Sequence, residues 1–158
     1  MIEIKKSPTA DSRTATGNPT KEDLLQSTIQ HINDVQKAME WMSETLMIIS
    51  ERHDHTKISD INGFYDIYSK KVPPDIFKDS KWFKLHLTER HHLNDRCPAD
   101  VNLFDVLERI ADITMAGMAR SGSIYADTID PEILVRAYKN TIDLLQSQIK
   151  VIEDKEDE

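Results

Sequence analysis

The stretch from residue 20 to residue 53 constrains the fold more than any other part of this 158-residue sequence, because it contains neither glycine nor proline. Its apolar and small residues recur at alternating steps of three and four, which is the spacing of one face of an amphipathic α-helix. Thr20 with Asp23 resembles a capping box in which Asp replaces the usual Glu or Gln, so a long helix is predicted to begin there. The stripe consists of Leu24, Thr28, His31, Val35, Ala38, Met42, Leu46 and Ile49.

Three later segments are also predicted to be helical. The first covers residues 79 to 91, and the second starts after Asp100 and runs to about Arg120. The third begins at Asp130-Pro131-Glu132, which supplies an N-cap, a proline in the first turn and an acid near the positive end of the helix dipole. Its apolar stripe continues to Ile152. The predicted fold class is therefore all-α, a compact bundle of five to six helices.

The composition suggests one domain between two polar ends. Residues 1–19 are polar and show no periodicity, so we expect a flexible N-terminal arm. Residues 20–152 are predicted to form a single helical domain, and residues 153–158 an acidic disordered tail. The sequence has no apolar run near 18 residues and no signal peptide, so a cytoplasmic protein without a membrane partner is expected. Cys97 is the one cysteine, which excludes an intramolecular disulfide and a Cys-rich zinc site.

Charge is distributed unevenly along the chain. The formal net charge of −8 disfavours binding to long nucleic acid, which needs many cations for the phosphates. However, residues 69–96 carry seven Lys or Arg residues against four acids and surround three of the six histidines. That local field would suit a small anionic substrate, although scattered surface lysines explain the same numbers equally well.

Several polar residues occupy otherwise apolar places, and each has an ordinary explanation. A histidine on an apolar stripe is more often a hydrogen-bonded core residue than a ligand. A His-His pair at a helix end can be a cap, and an aspartate can form the polar border of a helix. Taken in order, however, they offer imidazole nitrogens and carboxylate oxygens, which suit zinc, iron or manganese, and an aspartate can bridge two cations about 3.5 to 4 Å apart. These polar residues, the candidate metal ligands, are His31, His53, Asp54, His86, His91, His92 and Asp112.

This order resembles the HD-domain superfamily of metal-dependent phosphohydrolases, over about residues 24 to 122. His31 with Val35 is similar to the family's first helix, and the stretch from His53 to Lys57 is similar to its signature His-Asp pair followed by lysine. Residues 90–98 with Ile110-Ala111-Asp112 look like the distal half of the multi-histidine phosphodiesterase branch. Similar small proteins occur in phages and bacteria, so a phage-encoded member would work in the host cytoplasm.

The resemblance implies a fold, a ligand set and a reaction. His31, His53, Asp54 and Asp112 would be the core ligands, with Asp54 bridging, and His86 with one or both of His91 and His92 would complete a second metal. One or two ions of manganese, iron, zinc, nickel or cobalt are expected. Lys57 would contact the phosphate, and a metal-bound water, with its pKa lowered by the cation, would attack phosphorus, so Lys57 and Asp54 are the predicted catalytic residues. The implied activity is that of a phosphohydrolase or phosphodiesterase acting on a small nucleotide or cyclic nucleotide.

Two features depart from the family pattern. The loop from Asn94 to Pro98 lacks the Gly-Tyr of the branch that cleaves cyclic dinucleotides, so that substrate class is not carried over. In addition, 22 residues separate His31 from His53, about 33 Å along one unbroken helix. The two histidines can share a metal only if the chain reverses between them, and we expect that reversal near Trp41 to Glu44.

Two alternatives to a hydrolase remain open. Some proteins of the same fold and ligand order hold two irons and use dioxygen, so a di-iron oxygenase would fit the same ligands. A non-catalytic helical interaction protein that binds no metal is the other alternative. Its basis is that apolar residues lie on more than one face of the first helix, where a second helix from the same chain or from another copy in a homo-oligomer would pack. These residues are Met39, Trp41, Met42, Met47 and Ile48.

Overall fold

The computed structural model describes residues 1–6 and 17–153. Helices dominate these residues, and the two strands form one short pair, so the predicted all-α fold class is confirmed. None of the helices in the described part of the chain is both long and apolar enough to cross a membrane. The elements in chain order are β1 (Ile2–Lys5), α1 (Lys21–Arg52), α2 (His55–Ser59), α3 (Ile61–Ser69), α4 (Pro74–Asp79), α5 (Lys81–His86), α6 (Leu103–Ser121), α7 (Pro131–Ser147) and β2 (Ile149–Ile152).

The chain divides into two compact units. The first consists of Met1–Thr45 together with Ile142–Glu158, and the second of Leu46–Thr141. In the first unit β1 and β2 are parallel, with Ile2 opposite Ile149. The side chains of Gln30 and Lys37 on α1 donate to backbone carbonyls of β1 at 2.8 Å each.

This strand pair differs from the sequence prediction at both ends of the chain. Residues 2–5 form β1, although the sequence predicted a flexible arm over residues 1–19. The last helix ends at Ser147, and residues 149–152 form β2 where the stripe predicted continued helix. β-Branched residues dominate the sequence of β2, which favours a strand once a partner strand is present. The predicted arm at residues 7–16 and the predicted tail at 154–158 lie outside the described residues.

The helix starts predicted at Thr20 and at Asp130 are confirmed, whereas the helix predicted from residue 79 begins at Lys81. Thr20 Oγ1 accepts from the backbone of Asp23, and the carboxylate of Asp23 accepts from the backbone of Thr20, as in a capping box. Asp130 accepts from the backbone of Glu132 at the start of α7. The helix predicted over residues 79–91 is shorter, because α5 ends at His86 and a series of tight turns follows.

The core of the second unit is small and lies beside these turns. Leu93, Val101, Val106 and Ala137 are buried against one another. The buried indole of Trp82 stacks on the ring of Phe64 from α3 at 4.5 Å and on the ring of His86 at 5.1 Å. The contact with Phe64 fixes α3 against α5, and the contact with His86 fixes the ring of a predicted ligand at the end of α5.

Candidate metal centre

Six of the seven predicted ligands meet in the second unit, where four parts of the chain contribute them. His53 and Asp54 lie between α1 and α2, His86 ends α5, and His91 and His92 lie in the turn that follows. Asp112 projects from the middle of α6. Two overlapping groups, His53-His91-Asp112 and Asp54-His91-His92, and a third that adds Glu89 to Asp54 and His86, have potential ligand atoms within 4.8 Å of one another. The structure places these six residues close together, and their binding of metal stays a prediction.

Asp54 lies at the centre of the cluster. Its Oδ2 is 3.6 Å from Nε2 of His53, and its Oδ1 is 3.7 Å from Nε2 of His86 and 3.8 Å from Nε2 of His91. Nε2 of His53 is also 3.5 Å from Oδ1 of Asp112. These separations are too long for good hydrogen bonds. They are close to the distance of about 3.4 Å between two ligand atoms on a tetrahedral zinc-like ion with bonds of about 2.1 Å.

The backbone at Asp54 has an uncommon conformation. Its φ of 55° and ψ of 22° lie in the left-handed region, which costs free energy for a residue with a Cβ atom. Aspartate tolerates this region better than most residues. The left-handed turn ends α1 and lets α2 begin at His55, so that the side chains of two consecutive residues, His53 and Asp54, both enter the cluster.

Glu108 on α6 orients the imidazole of His53 and lies close to that of His91. Its Oε1 accepts a hydrogen bond from Nδ1 of His53 at 2.9 Å and lies 3.1 Å from Nδ1 of His91 without the alignment of a full hydrogen bond. Because a carboxylate only accepts, the hydrogen of neutral His53 is on Nδ1 and the lone pair is on Nε2. A carboxylate behind the ring is the usual support of a metal-bound histidine.

Thr56 and Glu89 orient His86 in a similar way. The hydroxyl of Thr56 donates to Oε1 of Glu89 in a short hydrogen bond, and the same carboxylate oxygen accepts from the backbone of Thr56 at 2.8 Å. The hydroxyl must therefore accept from Nδ1 of His86, which lies 2.9 Å away. This network leaves the lone pair of His86 on Nε2, directed towards Asp54 and towards Nε2 of His92 at 3.0 Å.

Some buried atoms of the cluster have no hydrogen-bond partner among the described residues. They include Oδ1 of Asp54 and both ring nitrogens of His91, and the residue His91 is only 1% exposed. Leaving a buried polar atom unpaired costs about 1–3 kcal/mol, and more for a charged one. A cation between Asp54 and His91 would provide a partner both for Oδ1 of Asp54 and for Nε2 of His91.

The pKa values of the cluster follow from its burial and charges. Burial alone would raise the pKa of Asp54, but the hydrogen bond and the charge of Lys57 outweigh burial and hold it below its usual value. Burial and Lys57 lower the pKa of His86. Burial and the neighbouring histidines lower the pKa of His92 to about 4. At neutral pH Asp54 is thus ionised while His86 and His92 are neutral, which are the forms that bind metal.

His91 departs from this pattern. Burial would lower its pKa, but the nearby carboxylates of Glu108, Asp112 and Asp54 together raise it. The cluster therefore favours positive charge at the position of His91. The same field would attract a metal cation to the neighbouring side of the ring.

Arginine side chains hold the turn that carries His91 and His92. Arg90 donates to both oxygens of the buried Asp105 at 2.7 and 2.8 Å, and Asp105 belongs to the capping box at the start of α6. Arg109 on α6 donates to the backbone oxygen of His91 at 3.3 Å. Both interactions tie the turn to the helix that supplies Asp112.

His31 is the predicted ligand that the cluster lacks. Helix α1 is continuous from Lys21 to Arg52, so the predicted reversal near Trp41 to Glu44 is wrong. His31 is exposed, belongs to the other unit and is absent from every group of potential ligand atoms among the described residues. The physical reason is that the stretch contains neither glycine nor proline, the two residues that disfavour helix most, and the stripe that carries His31 continues without interruption.

Glu89, Glu108 and Thr56 contact the cluster although the sequence did not predict them as site residues. Glu108 lies four residues before Asp112 on α6, which places both side chains on the same helical face. That spacing was a usable signal for Glu108. Glu89 lies in the turn after α5, and its partner Thr56 is 33 residues away, so no local pattern links them.

Comparisons of the chain with protein-family models, with curated proteins and with solved structures give no match. The resemblance to the HD-domain superfamily consequently stays a prediction from the order of the residues in the sequence.

Proposed function

We propose that the protein is a metal-dependent phosphoester hydrolase whose centre holds two divalent transition-metal ions. The first ion would be bound by His53, His91 and Asp112, and the second by His86 and His92, with Asp54 shared between them. Manganese, iron, zinc, nickel and cobalt all suit this mixture of imidazole and carboxylate ligands. The substrate would be a small phosphorylated molecule, and the resemblance to HD phosphohydrolases favours a nucleotide.

One observation carries the proposal: three imidazoles direct Nε2 towards one ionised carboxylate, at 3.6 to 3.8 Å. Two of these rings, those of His53 and His86, are fixed from behind by Glu108 and Thr56. An arrangement of lone pairs that face each other is unfavourable unless a cation lies between them. It is therefore better explained as a preformed metal centre than as a set of core histidines.

The position of Lys57 favours a phosphoester as the substrate. Its ammonium group donates to Oδ2 of Asp54 in a short hydrogen bond, so it stands beside the centre. When Asp54 binds metal, the lysine loses much of this partner's charge and can bind an anion in its place. An ammonium group is a suitable ligand for a phosphoryl oxygen.

The protein residues would divide the reaction between them. Divalent ions supply Lewis acidity and lower the pKa of water so that it can attack at neutral pH. Asp54 would orient the attacking water by accepting one of its hydrogens. Lys57 would hold a phosphoryl oxygen and offset the negative charge that develops in the transition state.

Hydrolysis by variants of Lys57 tests the proposal. The protein is loaded with Mn²⁺ and assayed with 4-nitrophenyl phosphate, bis(4-nitrophenyl) phosphate and a panel of nucleotides and cyclic nucleotides. Lys57→Met should keep its metal and lose about 100-fold or more in kcat/KM, as is typical when one charge-stabilising donor is removed. The matched control is Lys70→Met, since Lys70 is exposed and forms a long ion pair with Asp66 at 3.9 Å.

Two results would contradict the proposal. Metal-loaded wild type that hydrolyses none of these esters would rule out the hydrolase. Dioxygen consumption by the iron-loaded protein, without ester hydrolysis, would favour the oxygenase in its place.

A further inference from the structure

A cavity of about 580 Å³ adjoins the candidate metal centre. It lies between the last two turns of α1 and the middle of α6, entirely within the second unit. Its volume falls within the range of about 300–1,000 Å³ that is usual for small-molecule sites. Its position makes it the natural place for the part of a substrate that extends away from the metal.

One end of the cavity is polar and belongs to the centre itself. His53, Glu108 and Asp112 line this end. A phosphoryl group bound at the proposed metal centre would therefore direct one of its substituents into the cavity.

The remaining walls are almost entirely apolar. They include Leu46, Ile49, Leu107 and Ala111. The hydroxyl of Ser50 is a polar group on these walls, and it already donates to the backbone oxygen of Met47 at 2.7 Å. Because the walls are helical, their backbone polar groups are used within the helices.

This lining selects against a polar substituent. A nucleobase edge or a sugar hydroxyl in the cavity would lose its hydrogen bonds to water and find few in return, which costs about 1–3 kcal/mol for each unpaired group. An aryl or alkyl group would instead gain from leaving water. Two exposed methionines, Met47 and Met115, lie at the cavity and can adapt to different apolar shapes.

We propose that this cavity binds an uncharged, apolar substituent, aryl or alkyl, of a phosphoester whose phosphoryl group lies at the metal centre. The inference rests on the proposed hydrolase function and narrows its substrate class. If the substrate is a nucleotide, its base lies outside this cavity.

Binding of two non-hydrolysable phosphonates tests the cavity separately from catalysis. Titration calorimetry of the Mn²⁺-loaded protein should give at least about 10-fold tighter binding for phenylphosphonate than for methylphosphonate, as expected from burial of an aromatic ring. Ala111→Phe fills the cavity and should abolish this preference while the affinity for methylphosphonate stays within about twofold. Ala116→Phe fills the same cavity further along α6. It replaces Ala111→Phe in this test if that substitution disturbs the neighbouring Asp112.

The control is Ala119→Phe, which adds the same ring to an exposed position of α6 that does not line the cavity. It should keep both the metal and the preference for phenylphosphonate. Equal affinities of the two phosphonates for the metal-loaded wild type, or a preference that survives both cavity-filling variants, would overturn the inference and leave the hydrolase intact. A protein that binds no metal, or a metal-loaded protein that binds neither phosphonate, would contradict both proposals.

Discussion

Oε1 of Glu108 lies 2.9 Å from Nδ1 of His53 and thereby determines which nitrogen of this imidazole can bind metal. The helix α6 thus contributes to the proposed centre twice, through Asp112 as a proposed ligand and through Glu108, which lies behind the ring of the proposed ligand His53.

Replacing Glu108 by glutamine should weaken metal binding. Glu108→Gln keeps the size of the side chain but removes the charge that supports His53 and His91, and such losses typically cost about 10- to 100-fold in metal affinity. Competition titration with a chromogenic chelator measures the change. Glu44→Gln, at an exposed position of the other unit, should leave the affinity unchanged. An unaltered affinity in Glu108→Gln would show that Glu108 does not orient the ligands.

Thr56→Val should lower both the stability of the fold and the metal binding of the proposed centre, because it acts on His86. The substitution keeps the shape but removes the hydroxyl that joins His86 to the buried Glu89. Loss of one partner of a buried polar group costs about 1–3 kcal/mol, so the free energy of unfolding in urea should fall by this amount. The number of ions bound per chain should fall as well. Thr28→Val on the exposed face of α1 provides the comparison, and equal behaviour of the two variants would refute the role given to Thr56.

Arg90 should contribute more to stability than an ordinary surface cation. Arg90→Met leaves the carboxylate of Asp105 buried without its bidentate partner. Breaking a fully buried pair costs about 3–5 kcal/mol. Because the side chain of Arg90 is 40% exposed, we expect a smaller loss, about 2–3 kcal/mol in the free energy of unfolding.

The matched variant for Arg90 is Lys84→Met, which removes an exposed ion pair with Asp79. Urea denaturation should detect no change in this variant, because exposed pairs contribute little. Comparable losses for the two variants would mean that the link between the turn and α6 is unimportant.

Acid should destabilise the metal-free protein through His92. The pKa of His92 is about 4 in the folded chain and near 6.5 when unfolded, so between these values the unfolded chain binds a proton that the folded chain does not. Its contribution to stability is therefore complete above about pH 6.5 and decreases as the pH falls towards 4. His86 acts in the same direction, whereas the raised pKa of His91 opposes it.

Urea titrations in the presence of a chelator, at several values between pH 7.5 and pH 4.5, measure this slope. His92→Leu should have a shallower decline than the wild type, because it removes one group that takes up a proton on unfolding. An identical pH dependence in the two proteins would contradict the account of His92.

The sequence predicted the members of this centre better than their arrangement. His53, Asp54 and the later histidines were found by residue type and order, since few other side chains bind metal. His31 shared those properties, but periodicity identifies only a helical face and not what lies against it. Whether α1 reverses was a question of tertiary structure, and the favourable helix propensity of residues 21–52 decided it.

Long-range pairing was the other feature that local patterns could not reveal. The side chains of Glu3 and Lys150 form an ion pair although 147 residues separate them in the sequence. The two residues are also opposite each other in the parallel pair of β1 and β2. Neither strand has enough residues to be recognised alone. Each becomes a strand because the other supplies its backbone hydrogen bonds.

The number of metal ions per chain is the measurement that tests the central claim most directly. Elemental analysis of the purified protein after reconstitution with Mn²⁺ or Fe²⁺ should find close to two ions per wild-type chain, because two groups of ligands share Asp54. Asp54→Ala should lose both ions, whereas Asp66→Ala, at an exposed position of α3, should keep them. A wild-type chain that binds no ion, or an Asp54→Ala chain that binds as many as the wild type, would contradict the metal centre and leave the histidines as core and turn residues.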